Sequence, residues 1–155
     1  MNIRDEMLAL IDCLNKADLP YALCGGLAVA LHGYVRATKD IDLLVPTAYV
    51  PIIIQAAKTV GFRVANPHPM VFGAGTPREA TVHRVSKFEG EDHMVLDILE
   101  VNPSNRAAWK GRRAYKFEGH KLWAITRPAL IAMKKEAGRL KDLVDIHGLE
   151  GRHEW

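Results

Sequence analysis

The chain has 155 residues, of which 48% are apolar and 25% charged, the composition of an ordinary globular protein. This length suffices for a hydrophobic core, so we expect a single domain over residues 1–155. No apolar stretch reaches 18 residues, and charges of both signs occupy the first six, which argues against a membrane span or a signal peptide. Cys13 and Cys24 fit neither a CxxC pair nor a zinc-site spacing, which favours reduced thiols in a cytoplasmic protein. The net charge of +3 is uneven, because residues 109–155 carry eleven Lys and Arg against six Asp and Glu. An anionic ligand would be attracted to that end.

Apolar periodicity and Gly/Pro punctuation predict the elements in chain order. The order is helix 2–17, strand 21–24, helix 27–32, strand 41–45, helix 48–60, strand 62–65, an exposed or edge strand 81–88, strand 94–101, a hairpin of 113–117 and 121–125, helix 130–136 and helix 140–149. Residues 66–77 hold three prolines and two glycines and are predicted to form a loop. Because strands and helices mix at irregular spacing, the predicted fold class is α+β (mixed α/β).

The densest chemical signal is the pair Asp40 and Asp42, which flank Ile41. Residues two apart on a strand share one face, so both carboxylates would point the same way while Ile41 enters the core. Two carboxylates held close repel each other unless a cation lies between them. Oxygen ligands of this kind suit Mg²⁺. Taken alone, such a pair is more often a solvated strand end.

Two further features could complete a site around this pair. Gly25 and Gly26 follow a strand and precede a helical turn, where backbone N–H groups can approach a phosphate and the helix offers its positive end. Asp97 is a lone acid inside an apolar strand, and a buried acid is usually paired or liganded. An edge strand that turns Asp97 to water is the alternative. In the buried interpretation, Asp97 would form a three-carboxylate metal site together with Asp40 and Asp42.

These blocks, in this order, resemble the polymerase-β-like nucleotidyltransferase superfamily. A glycine pair, a spacer of 13 residues and the acid-hydrophobe-acid strand at 40–42 match its hallmark, and Asp97 fits its third acid. Residues 36–39 resemble the Arg-x-Thr-x-Asp form of the small prokaryotic branch. Residues 134–146 resemble the C-terminal motif of the AbiEii-type toxins and minimal nucleotidyltransferases.

The resemblance implies a nucleotidyltransferase-like mixed β-sheet flanked by helices, and transfer of a nucleoside monophosphate from an NTP to a hydroxyl acceptor. Asp40 and Asp42 would bind Mg²⁺ or Mn²⁺, and Asp97 would be a third ligand or the base for the attacking hydroxyl. Gly25 and Gly26 would hold the triphosphate. Residues expected near the phosphates are Arg36, Thr38 and Lys39.

Lys134 and Lys141 are the remaining candidates for the nucleotide site. They lie in a charged segment that, from its sequence alone, reads as an exposed helix with ion pairs at i,i+3 and i,i+4 spacing. In the version that the resemblance implies, one of the two lysines reaches the triphosphate and Asp142 orients a neighbour.

The acceptor is left open by the sequence. It could be tRNA, a side chain of a partner protein or a small hydroxylated molecule, and a toxin–antitoxin or defence role fits the resemblance. A homodimer or a partner protein could supply a missing wall of the site. The alternative function is a non-catalytic nucleotide-binding or antitoxin-like subunit, which the short chain would suit. The three acids and the glycine pair favour the enzyme.

Overall fold

The computed structural model describes residues 1–35 and 37–151. The helices are α1 (Ile3–Lys16), α2 (Gly25–Leu31), α3 (Val50–Lys58), α4 (Arg106–Lys110), α5 (Arg127–Ala137) and α6 (Leu140–Gly151). The strands are β1 (Ala22–Cys24), β2 (Asp40–Val45), β3 (Val64–Ala65), β4 (Met70–Phe72), β5 (Ala80–Glu89), β6 (Asp92–Glu100), β7 (Arg113–Phe117) and β8 (His120–Ala124). None of the described helices is long and apolar enough to cross a bilayer.

Within the described residues, the eight strands form one mixed sheet in the order β3-β5-β6-β2-β1-β8-β7, and β4 also pairs with β5. The neighbours of β2 run in opposite senses, since β6 is parallel to it and β1 antiparallel. Helices pack against this sheet, so the predicted α+β class is confirmed.

The core is built on the central strand β2 and on helix α1. Ile41, Leu43, Leu44 and Val45 of β2 are fully buried. One face of α1 is buried as well, and its members are Met7, Leu10, Ile11 and Leu14. Such a β-strand, apolar along most of its length and paired on both sides, is rigid. It therefore gives the two polar residues it carries, Asp40 and Asp42, fixed positions.

Two predictions about elements were wrong, and one helix was not predicted. The segment 66–77 is not only loop, because β4 forms within it and pairs antiparallel with β5 through Met70 and Val82. Strand β5 is not at an edge, since β3 and β4 cover its outer side. Helix α4 was missed altogether. Strands β3 and β4 have two and three residues, too short for a periodic pattern, so their sequences carry no signal without the partner strand.

The helices α5 and α6 agree closely with the two helices predicted at the C-terminal end. Thr126 caps α5 by accepting a hydrogen bond from the Ala129 N–H at 3.4 Å. Gly138 ends the helix with a φ of +65°, as its place between two helical patterns predicted. Helix α6 then folds back along α5.

The buried hydroxyl of Tyr21 joins α1 to β8 and generates a prediction about stability. It donates to Asn15 Oδ1 at 3.0 Å and accepts from the Trp123 N–H at 3.3 Å. Tyr21→Phe leaves both partners short of a bond, so we expect a loss of about 1–2 kcal/mol in the free energy of unfolding. Urea denaturation measures it. Tyr49→Phe, at an exposed tyrosine, should change stability by less than about 0.5 kcal/mol; equal effects would contradict the assignment.

Candidate active site

One cleft of about 1100 Å³ is lined by three carboxylates of the sheet and by Asp142 of helix α6. Asp42 and Asp97 lie directly opposite each other on the parallel strands β2 and β6, and Asp40 lies two residues before Asp42 on the same face. Strand β6 is interior to the sheet, so Asp97 is not an edge residue that faces bulk water. The predicted acids therefore share one surface of the sheet.

Arg84 forms the closest charge contact in this cluster. It lies opposite Asp97 on β5 and donates from Nε and Nη2 to the two carboxylate oxygens, both at 2.9 Å. A planar bidentate pair of this kind fixes both partners. The bond to Asp97 raises the pKa of Arg84, which stays charged. The Asp97 carboxylate in the cleft is therefore oriented by Arg84, and its charge is neutralised.

Arg84 was not among the residues selected from the sequence, although a signal was present. A tight hairpin at Gly90 and Glu91 fixes the register of β5 and β6, and counting back from it places Arg84 opposite Asp97. Residues 81–88 were interpreted as an exposed or edge strand, so no ion pair between Arg84 and Asp97 was predicted.

Asp42 is the carboxylate with the most perturbed proton affinity. Burial, and then the charges of Asp97 and Asp40, raise its pKa to about 7, while Lys134 and Lys141 oppose the shift. An acid in this position is protonated for part of the time at neutral pH unless a cation joins it. Burial and the neighbouring acids thus disfavour the charged form of Asp42.

The glycine pair lies against the same carboxylate. Gly25 has a φ of +65° and follows Cys24, which pairs with Asp42 across β1 and β2. A Cβ on Gly25 would lie 2.7 Å from the carboxyl carbon of Asp42 and closer still to its oxygen. Helix α2 begins at Gly25 itself, two residues before the predicted start, so both glycines form its first turn. Only glycine allows this approach.

The residues predicted near the phosphates divide into three cases. Thr38 and Lys39 line the cleft beside Asp40, and Gly25 and Gly26 line it from α2. Arg36 lies outside the described residues. Their roles in binding stay predictions.

The C-terminal helices close the other side of the cleft. Lys134 is buried, and its ammonium lies 3.0 Å from Asp145 and 3.4 Å from Asp142. Arg139 also binds Asp142, at 2.6 Å from Nε. The exposed-helix interpretation is therefore wrong for Lys134, because it ties α5 to α6. Lys141 lines the cleft with an exposed side chain.

No group of three or more His, Cys, Asp or Glu side chains is gathered into a metal centre within residues 1–35 and 37–151. The donors that the cleft does offer are carboxylate oxygens. Mg²⁺ is usually held by one or two carboxylates together with substrate phosphates, and Asp40 and Asp42 can supply that number. The three-carboxylate metal site stays a prediction.

The sequence of residues 6–92 matches the family model described as aminoglycoside-2''-adenylyltransferase. This stretch is more than half of the chain and contains the glycine pair, Asp40, Asp42 and Arg84. The chain belongs to the aminoglycoside-2''-adenylyltransferase family. It is therefore a nucleotidyltransferase, and the predicted superfamily and enzyme class are confirmed. A comparison with curated proteins found no match.

Solved structures of related fold agree with this assignment. The lincosamide antibiotic adenylyltransferase LnuA, bound to lincomycin, has a TM-score of 0.62 at 16% identity over 94% of this chain and 95% of its own. The enzyme ANT(2'')-Ia with adenylyl-2''-tobramycin has a TM-score of 0.58 at 16% identity, over 94% and 87%. A nucleotidyltransferase-like protein from Paracoccidioides brasiliensis has a TM-score of 0.54 at 14% identity, over 93% and 74%. At these identities the likeness shows a shared fold.

The close approach of Gly25 to Asp42 predicts an unequal effect of two alanine substitutions. Gly25→Ala and Gly90→Ala both place alanine at a φ near +60°, but the Gly90 Cβ would meet no atom within 4 Å. We expect Gly90→Ala to cost about 1 kcal/mol from backbone strain. Gly25→Ala should cost about 1–3 kcal/mol more, because the Asp42 carboxyl must move. Urea denaturation of both variants measures the difference, and equal losses would show that the site tolerates a methyl group there.

The raised pKa of Asp42 predicts a pH-dependent gain in stability for Asp42→Asn. Between about pH 4, where the unfolded carboxyl titrates, and about pH 7, the folded protein keeps a proton that the unfolded chain loses. Native stability therefore falls as the pH rises through this window. The variant lacks this loss, so in EDTA its Tm should exceed that of the wild type by a few degrees at about pH 8. Calorimetry should show the difference shrinking towards about pH 4; a constant difference would contradict the raised pKa.

Proposed function

We propose that this chain transfers a nucleoside monophosphate, with ATP as the donor, to a hydroxyl group of a small molecule. The observation that carries the proposal is the position of Asp42. It pairs with Cys24 on one side and Asp97 on the other, and it lies against Gly25, all in one cleft. A glycine turn for a triphosphate and carboxylates for a cation thus meet at one point.

Asp40 and Asp42 are suited to hold Mg²⁺ or Mn²⁺. Their donors are oxygens only and their side chains share a strand face, and a bound cation would offset the repulsion from Asp97 and Asp40 that contributes to the raised pKa of Asp42. When bound, the ion would neutralise charge on the phosphates and on the attacking and leaving oxygens. The residues of the chain that would position the phosphates are Gly25, Gly26, Thr38, Lys39 and Lys141.

Asp97 would receive the proton of the acceptor hydroxyl. In the proposed reaction that oxygen bonds to the α-phosphorus, the bond from the α-phosphorus to the β-phosphate oxygen breaks, and pyrophosphate leaves. The proton passes to an Asp97 oxygen. Both oxygens accept hydrogen bonds from Arg84, so Arg84 would fix the direction of the carboxylate. Most of the catalysis would come from positioning and charge stabilisation.

A small-molecule acceptor is supported by the family, whose description names an aminoglycoside position, and by two structural relatives that are described with lincomycin and with adenylyl-2''-tobramycin. These relatives favour a small molecule over tRNA or a protein side chain. A toxin–antitoxin role, a homodimer or partner protein and a cytoplasmic location stay predictions from the sequence.

The proposal predicts nucleotide binding that depends on both Mg²⁺ and Asp42. In the presence of Mg²⁺, ATP at about 100 times its Kd should stabilise the wild type by about 2.7 kcal/mol, and the shift should vanish in Asp42→Asn. Asp18→Asn, which removes an exposed carboxylate at the end of α1, should keep the full shift. Thermal denaturation with each of the four NTPs, with and without Mg²⁺, measures these effects and identifies the base.

Activity gives a second readout of the same prediction. With an accepted acceptor, Asp42→Asn should lower pyrophosphate release by more than about 100-fold, whereas Asp18→Asn should not. An Asp42→Asn variant that retains the ATP shift or the turnover of the wild type would contradict the proposal.

A further inference from the structure

A basic surface lies at the end of the sheet formed by β8 and β7. Residues 106–121 contain six Lys and Arg and one acid. That acid, Glu118, forms an ion pair with Arg4 at 2.9 Å. Strand β7 is the outermost strand at this end, and β8 separates it from β1. The residues that line the cleft come from the ranges 24–99 and 130–142, so this charge is concentrated outside the candidate active site.

Two lysines face each other on the exposed side of the β7–β8 hairpin. Lys116 and Lys121 are cross-strand partners, and both are exposed. The other side of β8 carries Leu122, which is fully buried, so the two lysines point to solvent. Like charges directly opposite each other destabilise a pair of strands. A bound anion would remove this repulsion.

Cations alternate with indole rings on the same surface. The Arg112 guanidinium lies 3.8 Å from the centre of the Trp109 ring and 5.4 Å from that of Trp123. The Lys121 ammonium lies 5.2 Å from the centre of the Trp123 ring. Both indoles are half-buried, so part of each ring stays open to solvent. We call this surface the basic strip, and its members are Trp109, Lys110, Arg112, Lys116, Lys121 and Trp123.

Protection of the sheet edge does not account for the basic strip. One charged side chain on an edge strand, such as Lys116, already discourages pairing with another chain. Lys121 lies on β8, which is paired on both sides, so placing it opposite Lys116 costs stability without protecting the edge. Lys110 belongs to α4 and not to the sheet. Within the described part of the chain, no carboxylate forms an ion pair with these three lysines. Their charges are therefore available to a ligand.

The combination of cations and flat rings favours a single strand of nucleic acid over other polyanions. Phosphates of such a strand bind Lys and Arg, and its unpaired bases stack on aromatic side chains. An acidic peptide would use the cations but would bring no flat group to the indoles. A duplex keeps its bases stacked on one another and offers mainly its backbone.

We propose that the basic strip binds a single strand of nucleic acid. Phosphates of the strand lie along Lys110, Lys116 and Lys121, and bases contact the open parts of Trp109 and Trp123. Because the strip lies outside the cleft, this binding leaves the candidate active site free. The inference goes beyond the proposed function and does not depend on it.

Fluorescence anisotropy on the full chain tests the inference. The probes are labelled oligouridine and oligothymidine of about twelve nucleotides, which distinguish RNA from DNA. We expect at least one of them to bind with a Kd of about 1–100 µM at moderate salt. Three phosphate contacts predict that the logarithm of the binding constant falls against the logarithm of the salt concentration with a slope of about −2. A duplex and a poly-glutamate peptide of the same length should each bind at least threefold more weakly.

Charge reversals at the two ends of the sheet locate the binding surface. Lys116→Glu should weaken the single strand at least fivefold, because it replaces a phosphate contact by a repelling carboxylate. It should not lower stability, since it places opposite charges across the strand pair with Lys121. Arg63→Glu makes the same change of charge at an exposed residue just before β3, the outermost strand at the other end, and should change the Kd less than twofold.

A ring substitution separates stacking from charge. Trp123→Leu should weaken the single strand at least threefold and leave the salt slope unchanged, because it removes an aromatic surface and no charge. Trp123→Phe keeps a ring and should restore most of the affinity. Urea denaturation of each variant shows that it is folded, and Lys116→Glu tests the inference even where Trp123→Leu does not fold.

Four outcomes would overturn the inference. They are no binding of either oligonucleotide at about 100 µM, the weak limit of non-specific binding, equal effects of the two charge reversals, binding of the duplex or the peptide as tight as that of the single strand, and unchanged affinity in a folded Trp123→Leu variant. The stabilisation by ATP and Mg²⁺ is a separate readout of the cleft, and Lys116→Glu should keep it.

Discussion

The repulsion among carboxylates on adjacent strands is the constraint on which the site depends. Asp42 and Asp97 occupy paired positions on β2 and β6, and Asp40 shares their face. The strands that hold them are buried and cannot spread apart to relieve the repulsion, since β2 contributes four fully buried side chains to the core. The protein meets this constraint in two ways. Arg84 neutralises Asp97 directly, whereas the raised pKa of Asp42 lets that acid carry a proton near neutral pH.

This division gives the two acids different characters, although the sheet places them side by side. Asp97 is fixed by a bidentate partner and has a defined direction. The Asp42 carboxyl lies against Gly25, in the space that a side chain at residue 25 would occupy. The helix pair α5 and α6 frames the cleft through the buried Lys134 and its two aspartates.

The sequence allowed prediction of the fold class and of the acids and the glycine pair that line the cleft, because those residues are marked by local rules. The acid pair on an apolar strand, the glycines after a strand and the capped helix at Thr126 each carry their signal within a few neighbours. The errors arose where the structure of a segment depends on which strand or helix it contacts. Strand β4 exists only through its bonds to β5, the partner of Arg84 follows from a hairpin register, and Lys134 is buried by a helix that comes after it. Such relations depend on distant residues, and a single sequence does not display them.

The place of β1 in the sheet has a consequence for how the chain acquires its shape. Strand β1 ends at residue 24, yet one of its two neighbours is β8, in which Ala124 pairs with Leu23. The middle of the sheet therefore closes only after about 100 further residues have been synthesised. Contacts so distant in sequence slow folding, because the loop entropy is lost before the pairing is gained. On the ribosome, the glycine turn would remain without its finished support until β8 had emerged, so this part of the cleft would form among the last parts of the molecule.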